Sequence, residues 1–171
     1  PTALDTYAAH GRVHDGDHDE VLLAALAAWR ADTDAGLESL LIAADTGTVR
    51  ELNARIRLDN ITSGRAAATG VELWDGTTAG VGDRITTRRN DRAQRLQDGG
   101  HVRNGETFTV TAVHADGSLD ARPTHVGGEG AGEDRSASIR IRSEYVAEHV
   151  ELGYAITAHR AQSATVDTAH V

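Results

Sequence analysis

Residues Ser39 to Arg57 read SLLIAADTGTVRELNARIR. The run Leu40 to Ala44 is short, apolar and continuous rather than alternating, which is the pattern of a strand covered on both faces. Thr48-Val49-Arg50-Glu51 has the form of a capping box. Val49, Leu52 and Ile56 then recur at helical spacing, while Arg50, Arg55 and Arg57 are free to point outward. A buried strand, a tight loop and an amphipathic helix in that order predict an α/β arrangement built on a parallel sheet.

The flanking sequence divides around this unit. Upstream, an acidic loop leads into DEVLLAALAAWRAD, in which Asp17 or Asp19 caps a helix and Val21, Leu22, Ala25, Leu26 and Trp29 line one face. From about Gly70 the periods shorten. VGDRITTRR reads as a strand and Asn104-Gly105 as a hairpin turn, and Phe108, Val110 and Ala112 alternate with Thr107, Thr109 and Thr111. Asp116-Gly117 signals a second hairpin. After the Gly- and acid-rich loop HVGGEGAGEDRSAS, Ile139 and Ile141 alternate with Arg140 and Arg142. The expected organisation is an α/β piece over 1–70, a small β-barrel or β-sheet module over 71–145, and a return to α/β over 146–171. In that last part Leu152, Ile156 and His159 share one face of an expected helix, and Thr165 to Val171 reads as a strand.

Composition narrows the chemistry. The chain has 171 residues, 39% of them hydrophobic and 4% aromatic, so a sizeable core is available, built mainly from Ala, Val, Leu and Ile. It has no cysteine, which removes disulfides and thiolate metal sites and makes a reducing, cytoplasmic compartment the default expectation. No apolar run is long enough for a membrane span. The chain starts at Pro1 without a Met, as expected of a piece of a longer protein.

Every one of the 17 basic side chains counted as Lys or Arg is an Arg. A G-x-x-x-x-G-K-[ST] loop needs a Lys to reach the β- and γ-phosphates, so the chain alone cannot complete such an ATP site. The net charge of −9 argues against a protein coated in positive charge, so any nucleic-acid site must be local.

Four places hold chemistry-bearing residues. The Asp45 to Thr48 turn could receive an anion at a helix N-terminus, but capping alone explains Thr48 and Glu51, so an ordinary capped turn is the expectation. His10, His14 and His18, with Asp15, Asp17 and Asp19 among them, have a metal-like spacing. Gly11 and Gly16 disfavour the helix this needs, so a solvated loop with no metal is expected. The segment from Arg84 to Arg103 gathers Arg84, Arg88, Arg89, Arg92, Arg95 and Arg103 against Asp91 and Asp98 only. That is either a patch for phosphates or a charge-protected strand edge. Last, GYAITAHRAQ, from Gly153 to Gln162, sets Thr157, His159, Arg160 and Gln162 in an otherwise small and apolar segment. Read as a helix end and the turn after it, these are donors able to hold a phosphodiester, or structural polar residues.

YAITAHRAQSATVD resembles the motif of RecD-like superfamily 1 helicases. VGDRITTRRNDR, VRNGETFTV, the Asp116-Gly117 hairpin and EYVAEHVELGYAITAHRAQ are together similar to the helicase portion of actinobacterial MobF-type conjugative relaxases. The resemblance runs over most of the chain from about Gly11. It implies a partial second RecA-like domain interrupted by an SH3-like β-barrel, within a plasmid-transfer protein that moves single-stranded DNA 5′ to 3′ with ATP and Mg²⁺. By resemblance, Thr157, His159 and Arg160 contact the DNA backbone, and Arg88, Arg89, Asn90 and Arg92 of Thr87 to Arg92 lie beside its path. Gln162, Ser163 and Thr165 couple DNA to the nucleotide cleft.

This sequence departs from the family at Ser163, where the motif has Gly, and at Thr165, where related helicases often carry a Glu near the ribose. The Walker-type Lys, an acidic Mg²⁺ motif, the Arg-bearing motif after Val171 and the relaxase nuclease are missing. The expectation is therefore a fragment without catalytic residues or bound cofactor of its own, inactive as an ATPase alone, whose partners are single-stranded DNA and the missing first RecA-like and relaxase domains. The alternative is a non-catalytic, helicase-like adaptor that binds a protein partner.

Overall fold

A computed structural model describes residues 16–95, 101–124, 138–162 and 166–171, with the isolated positions 6, 9 and 13. Helix α1, His18–Asp34, leads into strand β1, Ser39–Ala43, and helix α2, Thr46–Thr62. Then follow β2 (Val71–Glu72), β3 (Thr78–Ala79), β4 (Arg84–Thr87), β5 (Asp91–Arg95), β6 (His101–Val102), β7 (Thr107–Val113), β8 (Leu119–Pro123) and β9 (Ile139–Ile141). The chain continues through α3 (Ser143–His149), β10 (Val150–Leu152), β11 (Ala155–Thr157) and β12 (Thr168–His170). The fold is mixed α/β, with a parallel sheet and antiparallel sheets.

The parallel sheet has the order β11-β1-β12, so β1 is its centre. Leu41 pairs with Ala155 and Ser39 with Thr168, and both neighbours run parallel to β1. Leu40, Leu41 and Ala43 are buried, as a strand covered on both faces requires. Helix α1 packs on β1 and β12, and α2 packs on β11 and β1. Trp29 of α1 donates its Nε1–H to the Ser39 carbonyl at 3.1 Å and meets Tyr154 edge-on, with ring centroids 6.5 Å apart.

The antiparallel sheet has the order β10-β4-β7-β8-β9. Its register sets Ile85 opposite Phe108, and Val110 opposite Ala121, and these four side chains are buried. Gly105 and Gly117 take φ values of 84° and 83°, where a side chain is disfavoured, and the Asp116-Gly117 turn closes the β7–β8 hairpin as expected. The Asn104-Gly105 turn is not a hairpin, because it links β6, which pairs with β5, to β7, which pairs with β4 and β8. Strand β10 belongs to this sheet, with Leu152 opposite Ile85.

The two sheets are joined at Gly153. A Cβ there would lie 2.9 Å from the Ile85 carbonyl carbon and 3.0 Å from the Thr86 nitrogen, so only glycine lets the link from β10 to β11 cross β4 this closely. Two buried polar residues hold the crossing. Asn53 of α2 accepts from the Tyr154 and Ala155 amides at 3.1 and 2.8 Å through Oδ1, and donates to the Leu152 carbonyl at 3.1 Å. Asp83, fully buried, accepts from Arg57 Nε at 2.9 Å, the Gly80 amide at 2.8 Å and the Tyr154 hydroxyl at 2.7 Å. Backbone and side-chain donors are thus satisfied where water is excluded.

Several expectations are corrected. Tyr154 to Gln162 is not helical: Ala155–Thr157 is strand β11, and a turn follows in which the Arg160 and Ala161 amides donate to the Thr157 carbonyl at 2.9 and 3.1 Å. The free edge of β1 and the Asn53 side chain take the amides and carbonyls that a helix would have used internally, so tertiary pairing overrides a weak local period. The α2 cap is Asp45 rather than Thr48. Its Oδ1 accepts from the Gly47 and Thr48 amides at 2.7 and 3.0 Å, which starts the helix three residues earlier. Arg57 turns inward to Asp83 instead of outward. Of the expected strand Thr165 to Val171, the described strand is Thr168–His170, and Thr165 lies outside the described residues. Helix α1 is capped by Asp17, with Glu20 closing the box.

Candidate nucleic-acid interface

In an open parallel sheet, ligands approach the carboxyl ends of the strands. Here that edge is formed by Ala43 of β1 and Thr157 of β11, which are paired in register. The Asp45 to Thr48 turn leaves from beside Ala43, and the turn holding His159, Arg160 and Gln162 leaves from Thr157. Asp45 fills the helix N-terminus with its own carboxylate and also accepts from the Thr48 hydroxyl at 2.8 Å. Those hydrogen bonds, with the Thr48 amide the foremost, hold its carboxyl below the usual range. The turn is therefore a self-capped one.

Thr157 is half-buried, His159 and Gln162 are exposed, and Arg160 folds back along the surface. Its Nη1 is bonded to Oε1 of Glu151 on β10. Strand alternation sends Val150 and Leu152 into the core and leaves Glu151 on the other face. Glu151 also accepts from Trp74 Nε1–H at 3.2 Å and lies 3.6 Å from Arg88 Nε. The Arg88 guanidinium carbon sits 3.6 Å from the centre of the Trp74 ring, a cation–π contact. Arg88 Nε is buried without a hydrogen-bond partner among the described residues. Burial first, and the neighbouring Arg88 charge second, push the Arg160 guanidinium below its ordinary value.

Trp74 stands on a tight turn between β2 and β3. Leu73 is buried and its amide donates to the Thr77 carbonyl at 2.8 Å, while Asp75 accepts from the Thr77 amide at 3.1 Å. With Leu73 anchored inward, the indole of Trp74 is left 38% exposed over the end of β4.

From Arg88 the chain runs along a ledge formed by the β4–β5 turn and β5. Arg89, Asn90 and Arg92 are exposed there. The Arg88 amide donates to the His149 carbonyl at 2.8 Å, the Tyr145 hydroxyl donates to the Arg89 carbonyl, and Asn90 Oδ1 accepts from the Asn104 amide at 2.8 Å. The ledge is thus fastened to α3 on one side and to the Asn104-Gly105 turn on the other. A cavity of 270 Å³ opens between Arg89 and Asn90 on the ledge and Tyr145, Glu148 and His149 of α3. Arg142 is engaged by Asp91 Oδ2 at 2.7 Å. Burial raises the Asp91 carboxyl, but the Ala93 amide, the Arg142 guanidinium and the Gln94 amide outweigh it and leave it below the usual range. Arg89, Arg92 and Arg95 have no carboxylate partner among the described residues.

The structure therefore brings together two segments that lie far apart in the sequence. Arg160 of the Gly153 to Gln162 stretch and Arg88 of the arginine segment meet over Glu151. No hydrogen bond or ion pair among the described residues joins Thr157, His159 or Gln162 to that segment. Ser163 and Thr165 lie outside the described residues, as do His10 and His14, and no group of three metal-ligating side chains occurs among the described residues. Trp74 and Glu151 were not singled out from the sequence. The signal for Trp74 was a lone aromatic beside an Asp-Gly turn, and for Glu151 one charge between two core positions.

No protein-family model matches this chain. It is similar to the multifunctional conjugation protein TraI of Escherichia coli strain K12, with 34% identity over 128 residues. The alignment takes in 72% of this chain and 6% of TraI, so the chain spans a small part of the length of the curated relative it matches. Among the described residues no helix is long and apolar enough to cross a membrane.

Proposed function

We propose that this chain is part of the helicase region of a conjugative relaxase, acting in the cytoplasm, and that it holds single-stranded DNA along a path from the Thr157 to Gln162 turn to the arginine ledge. The observation that carries this reading is the meeting of Arg88 and Arg160 at one carboxylate, beside an exposed Trp74 and a ledge on which Arg89 and Arg92 have no carboxylate partner among the described residues. Guanidinium groups beside an aromatic surface suit a phosphate backbone with unstacked bases. The similarity to TraI supports the setting in conjugation. In this reading the parallel sheet is a portion of a RecA-like domain spanning 1–70 and 146–171, and 71–145 is an inserted SH3-like module that lends one side of the DNA path.

ATP and Mg²⁺ do not fit the residues present here. The chain contains no Lys for the phosphates, and Asp45 already occupies the α2 amides that an anion would use. A nucleotide would be held in the intact protein by residues outside this chain, with Gln162, Ser163 and Thr165 on the coupling side. Alone, the chain is expected to show no ATPase activity.

The test is binding of a labelled oligothymidylate as salt is varied. Log affinity is expected to fall linearly with log salt, and Arg89→Ala and Arg92→Ala are each expected to flatten the slope by about one unit. Absence of binding at low salt would overturn the reading and leave the protein-binding adaptor in its place.

A further inference from the structure

We propose that Glu151 is a built-in stand-in for a phosphate: it occupies a subsite formed by Arg88 and Arg160, and a phosphodiester of single-stranded DNA displaces it. The proposal rests on the DNA-binding reading above and adds to it a masked subsite and the group that masks it.

Glu151 is an incomplete partner for the two cations. It is bonded to Arg160 through Nη1 alone, and its other oxygen is 3.6 Å from Arg88 Nε, beyond hydrogen-bond reach. Arg88 Nε is thereby left buried and unsatisfied, a state that favours any anion able to reach it. One carboxylate faces two guanidinium groups, so the cluster carries an excess positive charge. The side chains are 33% (Arg88), 29% (Arg160) and 19% (Glu151) exposed, so an incoming group has access and the existing pair is weakened by solvent.

A phosphodiester is the better occupant. Guanidinium binds phosphate oxygens in a two-pronged fashion, and a tetrahedral group presents oxygens toward both arginines at once. It also arrives tethered to neighbouring phosphates, so engagement of Arg89 and Arg92 on the ledge raises its effective concentration at Arg88 and Arg160. When Glu151 swings away, Trp74 Nε1 loses its acceptor and the surroundings of an exposed indole change. Trp29 is 4% exposed and donates its indole N–H to the Ser39 carbonyl rather than to Glu151, which makes Trp74 the reporting tryptophan.

The experiment uses the 171-residue chain, its Glu151→Gln variant and labelled oligothymidylate. Gln keeps the shape and an acceptor for Trp74 but no longer competes as an anion. Removing the competitor is expected to tighten binding by about two- to fivefold at low salt, the range an exposed ion pair is worth. It is also expected to steepen the log–log salt slope by up to about one unit, because the arginines then shed counterions on binding. Unchanged or weaker binding by a folded Glu151→Gln variant overturns the proposal while leaving the DNA reading intact. If neither protein binds, both fall together. Wild-type tryptophan emission is followed in the same titration and must shift on binding, with the shift lost in Trp74→Phe. Binding without that shift also overturns the proposal, even if Glu151→Gln does not fold.

Discussion

The Tyr154 hydroxyl donates to Asp83 Oδ1 at 2.7 Å, and Asp83 is fully buried where the two sheets meet. The same carboxylate accepts from Arg57 at 2.9 Å, so a residue of α2 and the first residue after Gly153 share one anion, supplied by the residue before β4. Removing the carboxylate strands a guanidinium that is only 15% exposed. Asp83→Ala is expected to destabilise the chain by about 3–5 kcal/mol, read from urea unfolding, whereas Tyr154→Phe removes one hydrogen bond and costs about 1–2 kcal/mol. Equal losses from the two variants would contradict the central place given to Asp83.

Alkaline stability follows from the same pair. Burial first, then the charge of Asp83 and the hydrogen bond to it, push the Tyr154 phenol up to about 12. A group whose folded-state value lies above its unfolded value keeps its full contribution below the unfolded value, near 10, and loses it as pH rises toward the folded one. Stability is therefore expected to fall by about 2–3 kcal/mol between pH 10 and 12, and this part of the fall should be absent from Tyr154→Phe. Tyr145 is raised by burial as well, so the difference between wild type and variant is the quantity to measure.

Gly153→Ala tests the crossing itself. The added methyl meets the backbone of Ile85 and Thr86, which cannot rotate away. A loss of about 1–3 kcal/mol is expected, seen as a Tm lower by several degrees. A Tm unchanged within a degree would mean that the crossing relaxes freely.

Charge alone does not predict which arginines meet DNA. Arg140 is bonded to Asp120 at 2.9 Å on β9, so it is already neutralised. Arg140→Ala is expected to leave the salt slope of oligothymidylate binding unchanged, in contrast to Arg89→Ala. An equal flattening by both would point to a diffuse field rather than a ledge.

Much of this molecule is visible in its residues. The strand from Ser39, the helix after it, the alternation through Phe108 and Val110 and the two glycine turns all follow from patterns that fit inside one element. Ala155–Thr157 does not, because three residues are too few for a period of two to show, and what makes them a strand is the edge of β1. Arg57 looked like a surface residue since its partner Asp83 lies 26 positions on. The arginine segment and the Gly153 to Gln162 motif were each legible. Their meeting was not, because it depends on Glu151, whose role comes from the pairing of β10 with β4 rather than from any local motif.

The central position of β1 sets the order in which this chain can become a protein. Both of its neighbours come long after it in the chain, and Ser39 waits for Thr168, 129 residues on. The β2–β3 and β7–β8 hairpins, closed by short turns, can assemble while β1 is still unpaired, so they are expected to form early and the parallel sheet after them. A nascent or truncated chain lacking the segment after Gly153 would expose SLLIA with two open edges, a template for wrong pairing until β11 and β12 arrive.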